Sequence, residues 1–287
     1  EDVSFSRPRK NLQWGIPVPG DDTQTMYVWA DALLNYLSHV SGKEQMWWPP
    51  NLHVVGKDIL RFHALIWLGI LKALGKLPPR TIFVHGFITA RGEKMSKSLG
   101  NVIDPVELTK RFGVDAVRYY LLAEIPSTED GDFSEEKFIL RYNGDLANGL
   151  GNLIARSATL GARVSPLRYA PRAVSPALHR ACTVIEKAYH NDMNALNMHS
   201  AIRRIWELVG VADRYINEAH PWALADEKRF IAVMKDVSYC ILRIQRLITP
   251  FLPETADKIG KQFILEKNIL TIKKGKGLFP RLEPQRI

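Results

Sequence analysis

Short apolar runs alternate with helical patterns in the first part of the chain, and this alternation restricts the fold more than any other feature. Residues 26–29, 52–55 and 81–84 are each short, apolar and rich in β-branched or aromatic side chains, as buried strands are. Helical patterns follow the first two, over residues 30–39 and 59–74. Strands that alternate with helices form βαβ units, so the pattern predicts a parallel sheet that binds ligands at the carboxyl ends of its strands.

The rest of the chain predicts an α-helical bundle. The strand pattern disappears from about residue 115, and a transition near residues 126–132 leads into long helical patterns separated by prolines. The predicted helices cover residues 135–163, 176–190, 195–218, 228–249 and 253–263. The predicted fold class is therefore α/β followed by all-α. Three strands are few for an independent doubly wound sheet, so we expect the α/β part to be incomplete.

The composition bounds the partners and the chemistry. The chain has 287 residues, a net charge of +9 and a pI near 9.5, which favours a polyanionic partner, although many basic proteins bind no nucleic acid. No apolar run reaches the roughly 18 residues of a membrane span, so we expect no membrane partner. Cys182 and Cys240 lie far apart in the sequence without metal-ligand spacing, which predicts two reduced, buried thiols in a reducing compartment.

A lysine-rich loop carries the most specific motif, Lys94-Met95-Ser96-Lys97-Ser98. Two lysines three residues apart, bracketed by Gly92 and Gly100, predict a mobile cationic loop. Lysine acts on phosphate as a point charge, so such a loop suits a reaction in which phosphate charge builds up and departs. A solvated surface turn is the alternative for this composition.

The second predicted strand leads into a turn with polar groups. Gly56 allows a close backbone approach there, and Asp58 offers a carboxylate that can accept hydrogen bonds from ribose hydroxyls. On the helix that follows, Ile59, His63 and Trp67 share one face. A core face with one satisfied histidine is the alternative interpretation.

Aromatic residues mark two further candidate sites. Trp29 and Tyr36 could form the walls of a pocket for an apolar side chain with a weak acceptor, such as a thioether, or they could belong to the core. In the helical half, Asn152 and Arg156 are spaced to share one helix face and could read base edges. Trp222, at a Pro-Trp turn, could stack on an unpaired base. A surface polar pair and a loop-filling tryptophan are the alternatives.

Taken together, these motifs resemble the methionyl-tRNA synthetase family of class I aminoacyl-tRNA synthetases over essentially the whole chain. The lysine loop is shared by several class I synthetases, whereas the tryptophan run, the Gly-Lys-Asp-Ile turn and the Pro-Trp turn indicate the methionine enzyme. The matching segments are Ser4-Phe5-Ser6-Arg7, Trp14-Gly15-Ile16-Pro17-Val18-Pro19-Gly20, Tyr27-Val28-Trp29-Ala30-Asp31-Ala32, Gly56-Lys57-Asp58-Ile59, Phe62-His63, the lysine loop, Gly131-Asp132-Phe133-Ser134 and Pro221-Trp222.

The resemblance implies a role for each candidate residue. Methionine would lie among Trp29, Tyr36, Ile59, Phe62, His63 and Trp67. ATP would be bound by Gly56, Asp58, His85, Gly86, Ile88, Lys94, Ser96 and Lys97, with Lys94 and Lys97 as the catalytic residues. The CAU anticodon would be read by Asn152, Arg156 and Trp222.

The resemblance also implies the substrates and the domain plan. The substrates would be L-methionine, ATP with Mg²⁺ and tRNA(Met), with no zinc or other metal in this portion, in the cytoplasm or the mitochondrial matrix. Residues 1–125 would form the C-terminal half of a Rossmann-type catalytic domain, including a region that contacts the tRNA stem, and residues 126–287 an α-helical anticodon-binding domain.

The chain departs from the family in one large respect. The His-x-Gly-His motif of class I synthetases is absent from these residues, as is the inserted region that carries metal-binding cysteines. We therefore expect either a fragment of a longer protein or a subunit completed by a separate chain, with little or no adenylation by itself. Two alternatives stay open: a class I synthetase for leucine, isoleucine or valine, and a non-catalytic tRNA-binding module.

Overall fold

A computed structural model describes residues 5–12, 14–96, 98, 100–170 and 174–283. The chain divides into two compact units, Glu1–Phe87 and Ile88–Ile287. The predicted fold class, α/β followed by a helical region, is confirmed. In the sequence, the compact units divide between residues 87 and 88, whereas the predicted functional boundary lies between residues 125 and 126. That functional boundary stays a prediction.

The first unit begins with a small antiparallel sheet in the strand order β1-β3-β2, followed by two helices. These elements are β1 (Ser6–Pro8), β2 (Pro17–Val18), β3 (Asp21–Met26), α1 (Val28–Ser38) and α2 (Glu44–Trp47). The strand predicted over residues 26–29 is wrong, since Val28 and Trp29 already belong to α1. The actual strand β3 is polar over most of its length and exposed over its first half, and it pairs with β1.

The second part of the first unit is a parallel β-α-β segment. Strands β4 (Leu52–Gly56) and β5 (Thr81–His85) confirm two predicted strands, and they pair in register from Leu52 opposite Thr81 to Gly56 opposite His85. The predicted helix between them consists of a 3-10 turn (Lys57–Ile59), a π-helical turn (Phe62–Ile66) and α3 (Trp67–Ala73). Trp67, Leu71 of α3 and Leu33 of α1 form the buried core of this unit.

The second unit begins with a three-stranded sheet in the order β7-β6-β8. Its strands are β6 (Ile88–Ala90), β7 (Glu93–Lys94) and β8 (Gly131–Phe133), and the helices α4 (Pro105–Phe112) and α5 (Val114–Ala123) lie between β7 and β8 in the chain. Arg91 and Gly92 both have positive φ, 56° and 77°, as the two-residue turn that joins β6 to β7 requires. This hairpin leads directly into the lysine loop.

The helical bundle forms the remainder of the second unit and confirms the helical regions predicted from the sequence. Its helices are α6 (Glu135–Arg141), a π-helical segment (Tyr142–Gly151), α7 (Asn152–Gly161), α8 (Pro176–Asn194), α9 (Met198–Ala219), α10 (Glu227–Ile248) and α11 (Pro253–Gln262). Their apolar faces form one large core. Cys182 and Cys240 are free thiols in this core with their sulfur atoms 3.6 Å apart, which confirms that both are buried.

The expectation that strands disappear after residue 115 is wrong. Besides β8, the bundle carries a sheet of β9 (Leu167–Arg168), β10 (Phe263–Glu266) and β11 (Ile269–Ile272) in the order β10-β11-β9. Lys267 and Asn268 have positive φ, 43° and 67°, and close the β10–β11 hairpin. No helix in the described part of the chain combines the length and apolar character needed to cross a membrane.

Candidate functional site

The carboxyl ends of β4 and β5 form an open polar edge in the first unit. Gly56 and His85 lie opposite each other there, and a Cβ atom on Gly56 would stand only 2.7 Å from the Asp58 carboxylate and 3.7 Å from the His85 ring. Asp58 and His85 are exposed, and His85 Nδ1 donates to the Gly86 carbonyl over 2.9 Å. Glycine is therefore the residue that leaves room for the carboxylate at this edge.

The aromatic residues predicted to bind the substrate side chain do gather in one cluster. The rings of Trp29 and Phe62 stack with centroids 4.5 Å apart, and the edge of His63 meets Trp29 at 5.8 Å. Tyr36 contacts both His63 and Trp67, each with a centroid separation of 5.8 Å. Trp29, Tyr36 and Phe62 are partly or fully exposed, so the cluster has an accessible aromatic surface above its buried base.

Two hydrogen bonds fix the tautomer of the buried His63. Its Nδ1 lies 3.0 Å from the Ile59 carbonyl, which can only accept, so Nδ1 carries the proton. Its Nε2 then accepts from the Tyr36 hydroxyl, also over 3.0 Å. Burial raises the pKa of Tyr36, which keeps the phenol protonated as the donor. The predicted residues thus form a cluster whose buried histidine is hydrogen-bonded on both ring nitrogens, with Ile59 joined to it through its backbone.

The prediction from the sequence missed His53, which lies beneath this cluster on β4. Its Nε2 accepts from the Trp67 indole over 3.2 Å, and its ring lies 4.5 Å from the Tyr36 ring. Burial, followed by the charge of nearby His63, lowers the pKa of His53, so its neutral form is favoured. A histidine inside the apolar run of residues 52–55 was the available signal.

Asn101, which the prediction omitted, forms hydrogen bonds within the lysine loop. The Asn101 side chain accepts from the Ser96 amide over 2.8 Å and donates to the Lys94 carbonyl over 3.2 Å. The hydroxyls of Ser96 and Ser98 lie 2.8 Å apart. Lys94 is exposed, while the predicted catalytic Lys97 lies outside the described residues.

Asp132 on β8 holds the hairpin from which the lysine loop extends. One of its carboxylate oxygens accepts from the Gly92 amide over 2.6 Å and from the Thr89 hydroxyl over 2.9 Å. The Gly92 hydrogen bond, aided by that of Thr89, lowers the pKa of Asp132. Ile88, predicted to lie beside the nucleotide, is exposed at the start of β6.

The residues predicted to bind ATP are divided between the two units. Gly56, Asp58, His85 and Gly86 belong to the first, and Ile88, Lys94 and Ser96 belong to the second. In the described ranges, no group of three or more histidine, cysteine, aspartate or glutamate side chains is placed to hold a metal ion.

The residues predicted to bind bases form a separate site in the helical bundle. The Arg156 guanidinium on α7 lies 5.8 Å from the ring centroid of Trp222, whose side chain is 49% exposed. His220, the C-cap residue of α9, has a left-handed backbone, which turns the chain into the Pro221–Ala223 segment that presents Trp222. Asn152 is exposed one helical turn before Arg156.

Two residues of α9 that the prediction missed hold Arg156 in a fixed orientation. The guanidinium donates to the Asp213 carboxylate over 2.6 Å and to the Asn217 amide oxygen over 2.6 Å. The Asn217 amide in turn donates to Asp213 over 3.1 Å. The spacing of Asp213 and Asn217 by one helical turn was visible in the sequence, but their partner lies 57 residues away from Asp213.

Comparisons with known proteins identify the relatives of this chain. The family model described as tRNA synthetases class I (M) matches residues 1–158. The methionine–tRNA ligase of Caldanaerobacter subterraneus subsp. tengcongensis is 37% identical over 100% of the chain and 49% of its own length. That of Brucella suis is 41% identical over 90% of the chain and 52% of its own length. The chain thus spans about half the length of these relatives.

Solved structures give the same relationship at the level of the fold. The crystal structure of Mycobacterium tuberculosis methionyl-tRNA synthetase bound by methionyl-adenylate superposes with a TM-score of 0.85 at 34% identity. The match covers 98% of this chain and 60% of that one. The free form of the same enzyme matches with a TM-score of 0.82 at 32% identity.

Proposed function

Because this chain belongs to the methionine-type family of class I tRNA synthetases, we propose that the protein it represents joins L-methionine to tRNA(Met) at the expense of ATP. The main support is its likeness to methionine–tRNA ligases over 90–100% of its residues at 37–41% identity. The aromatic cluster of the first unit and the Arg156–Trp222 site of the second each supply chemistry that this reaction needs.

The aromatic cluster is the proposed site for the methionine side chain. A thioether makes favourable contacts with aromatic edges, worth about 0.3–1.5 kcal/mol each. Trp29, Phe62 and Tyr36 offer such edges, and the Tyr36 hydroxyl is hydrogen-bonded to His63. A polarizable aromatic pocket favours methionine over polar amino acids. Leucine, isoleucine and valine are the competitors that amino-acid-dependent pyrophosphate exchange would separate.

ATP with its Mg²⁺ is the proposed second substrate. Asp58, next to Gly56 at the carboxyl edge of β4, would accept hydrogen bonds from the ribose hydroxyls. The methionine carboxylate attacks the α-phosphorus, the bond to the β-phosphate breaks, and pyrophosphate leaves. Lys94 and Lys97 would supply the positive charge that stabilises the departing phosphates. The terminal ribose 2′-hydroxyl of tRNA then attacks the methionyl carbonyl and AMP leaves.

The Arg156–Trp222 site is the proposed reader of the CAU anticodon. The half-exposed Trp222 ring provides a stacking platform, and alanine substitution at such platforms costs about 1–3 kcal/mol per base. Asn152 and Arg156 would supply hydrogen bonds to base edges. Since these residues all belong to the second unit, anticodon binding can be tested on the present chain.

Filter binding of the chain to tRNA with a CAU anticodon, and to a copy with a swapped anticodon, tests this proposal. We expect tighter binding of the CAU form and a loss of about 5–150-fold for that form in Trp222→Ala, from the stacking free energy. Trp14→Ala is the matched control, because Trp14 is an exposed tryptophan of the first unit. Equal binding of the two tRNAs would contradict the anticodon role.

We also propose that the chain alone binds tRNA without forming methionyl-adenylate. These 287 residues contain no His-x-Gly-His motif, which class I synthetases use at the nucleotide. A non-catalytic tRNA-binding module is therefore the second candidate function of the chain itself. Methionine-dependent pyrophosphate exchange by the purified chain would refute the inactive state.

A further inference from the structure

The exposed face of α7 continues beyond the residues proposed to read the anticodon. Asn152, Arg156, Thr159 and Arg163 follow one another at intervals of four, three and four residues, so at about 100° per residue they stay within a narrow stripe. All four are at least partly exposed, whereas the opposite side of the helix is buried. Arg163 is the second residue after the end of α7, in the turn that follows the C-cap Ala162, and it extends this stripe by about one turn.

Two arginine–aromatic pairs join this stripe to a single segment of chain. Arg156 lies over Trp222 at 5.8 Å, and Arg163 lies over Phe230 at 5.2 Å. Arg163 is seven positions after Arg156, which places the two about 10 Å apart along the helix direction. The buried Phe230 ring attracts the Arg163 guanidinium at the surface weakly, as is usual for an exposed pair, and so favours a position of this cation beside α7.

The two arginines differ in their charge environment. Arg156 is paired with the Asp213 carboxylate at 2.6 Å, which offsets its positive charge. Its contribution to recognition is therefore the direction of its hydrogen bonds rather than its net charge. Among the ion pairs of the described residues, none involves Arg163. An exposed arginine without a paired carboxylate presents its full charge to an approaching anion, and its planar fork matches the oxygens of a phosphate.

We propose that Arg163 binds a backbone phosphate of single-stranded RNA next to the nucleotides read at Arg156 and Trp222. This inference rests on the proposed tRNA-binding function and adds to it a phosphate contact that carries no sequence information. Phosphate contacts position an RNA strand and make its affinity salt-dependent, whereas contacts to bases discriminate between sequences. Arg156 on α7 therefore contributes to discrimination, and Arg163 in the turn after α7 contributes to the position of the strand.

Arg163→Gln in the full chain separates these tasks. We expect it to weaken binding of tRNA with the CAU anticodon and with a swapped anticodon by the same factor, about fivefold at 0.1 M salt. The slope of log affinity against log salt should decrease by about 0.7, the value for one phosphate on a single strand. Arg163→Lys retains the charge and should retain the slope, while Arg156→Gln should change the ratio between the two tRNAs.

Arg180→Gln is the matched control, since Arg180 is an exposed arginine on α8 and its loss changes the net charge equally. An equal change of slope in Arg163→Gln and Arg180→Gln would overturn the inference, because it would indicate a general charge effect. If Arg163→Gln has the same salt slope as the unsubstituted chain, the inference about Arg163 is wrong as well. If the unsubstituted chain still prefers the CAU anticodon in that case, the proposed function is unaffected. Absence of any tRNA binding by the unsubstituted chain would overturn both.

Discussion

Asp213→Asn tests whether the orientation of Arg156, rather than its charge, creates anticodon discrimination. The substitution removes the carboxylate that accepts the guanidinium at 2.6 Å but keeps a side chain of nearly the same shape. The Arg156 side chain is 32% exposed and Asp213 is 45% exposed, so the pair itself stabilises the fold little, by about 0–1 kcal/mol. The main effects should therefore appear in RNA binding.

Two opposite changes are expected in Asp213→Asn. The site gains one net positive charge, so affinity at low salt should rise and the salt slope should steepen by up to about 0.7. Over a rise from 50 to 200 mM salt, that slope corresponds to a further loss of about threefold. Discrimination should fall, since a well-oriented bidentate contact to a base is worth about 1–3 kcal/mol. Losing about 1 kcal/mol of it lowers the preference for CAU about fivefold.

Competition binding at several salt concentrations, with CAU and swapped tRNAs, measures both changes. Glu218→Gln is the control, because it removes the same charge from the same surface. Glu218 is an exposed carboxylate and lies on the surface that Asp213 and Asn217 also line. If Asp213→Asn and Glu218→Gln steepen the slope equally and leave the CAU preference intact, the orientation of Arg156 does not determine discrimination. The reasoning from the Asp213 contact would then be refuted.

Two further substitutions test how the second unit holds its sites. Asp115→Ala should destabilise this unit by about 2–3 kcal/mol, since the buried carboxylate accepts from the Thr255 amide and hydroxyl over 2.6 and 2.7 Å. Thermal unfolding should show a drop of roughly 5–10 °C, and an unchanged midpoint would contradict it. Asp132→Asn should destabilise the Gly92 hairpin near neutral pH. Because folding lowers the pKa of Asp132, the difference in stability between the chain and the variant should shrink as pH falls below about 4. Urea midpoints of the chain and the variant, compared at several pH values, measure this, and a difference independent of pH would contradict it.

The helices and the parallel strands were predictable because their apolar residues follow the helix and strand periods. Strand β3 was not, because Asp21 to Thr25 are polar and only pairing with β1 and β2 makes them a strand. The β10–β11 hairpin was hidden for another reason. Its first strand directly follows α11, and its turn residues, Lys267 and Asn268, are not the Asn-Gly type that marks a hairpin in sequence.

The candidate sites were predictable where a local motif or a helical spacing marks a residue, which includes the buried His63 and Trp67. Local motifs and spacing pointed to Trp29, Arg156 and Trp222, all of which contact other candidate site residues. The residues that support them, such as His53 and Asp213, were missed because their partners are distant in sequence and meet them only after packing. A histidine within a strand, such as His53, or a carboxylate on a helix has many possible partners, and sequence spacing cannot choose among them.

The parallel pair of β4 and β5 has a consequence for handling the chain in solution. Val54 in the middle of β4 is 61% exposed, although parallel strands are ordinarily covered on both faces. A two-stranded sheet has two edges, each with unpaired backbone donors and acceptors that can template another strand. The first unit therefore has unpaired strand edges close to Gly56 and Asp58. At high protein concentration a second chain can pair with these edges, so dilute samples are the appropriate ones for ligand-binding studies.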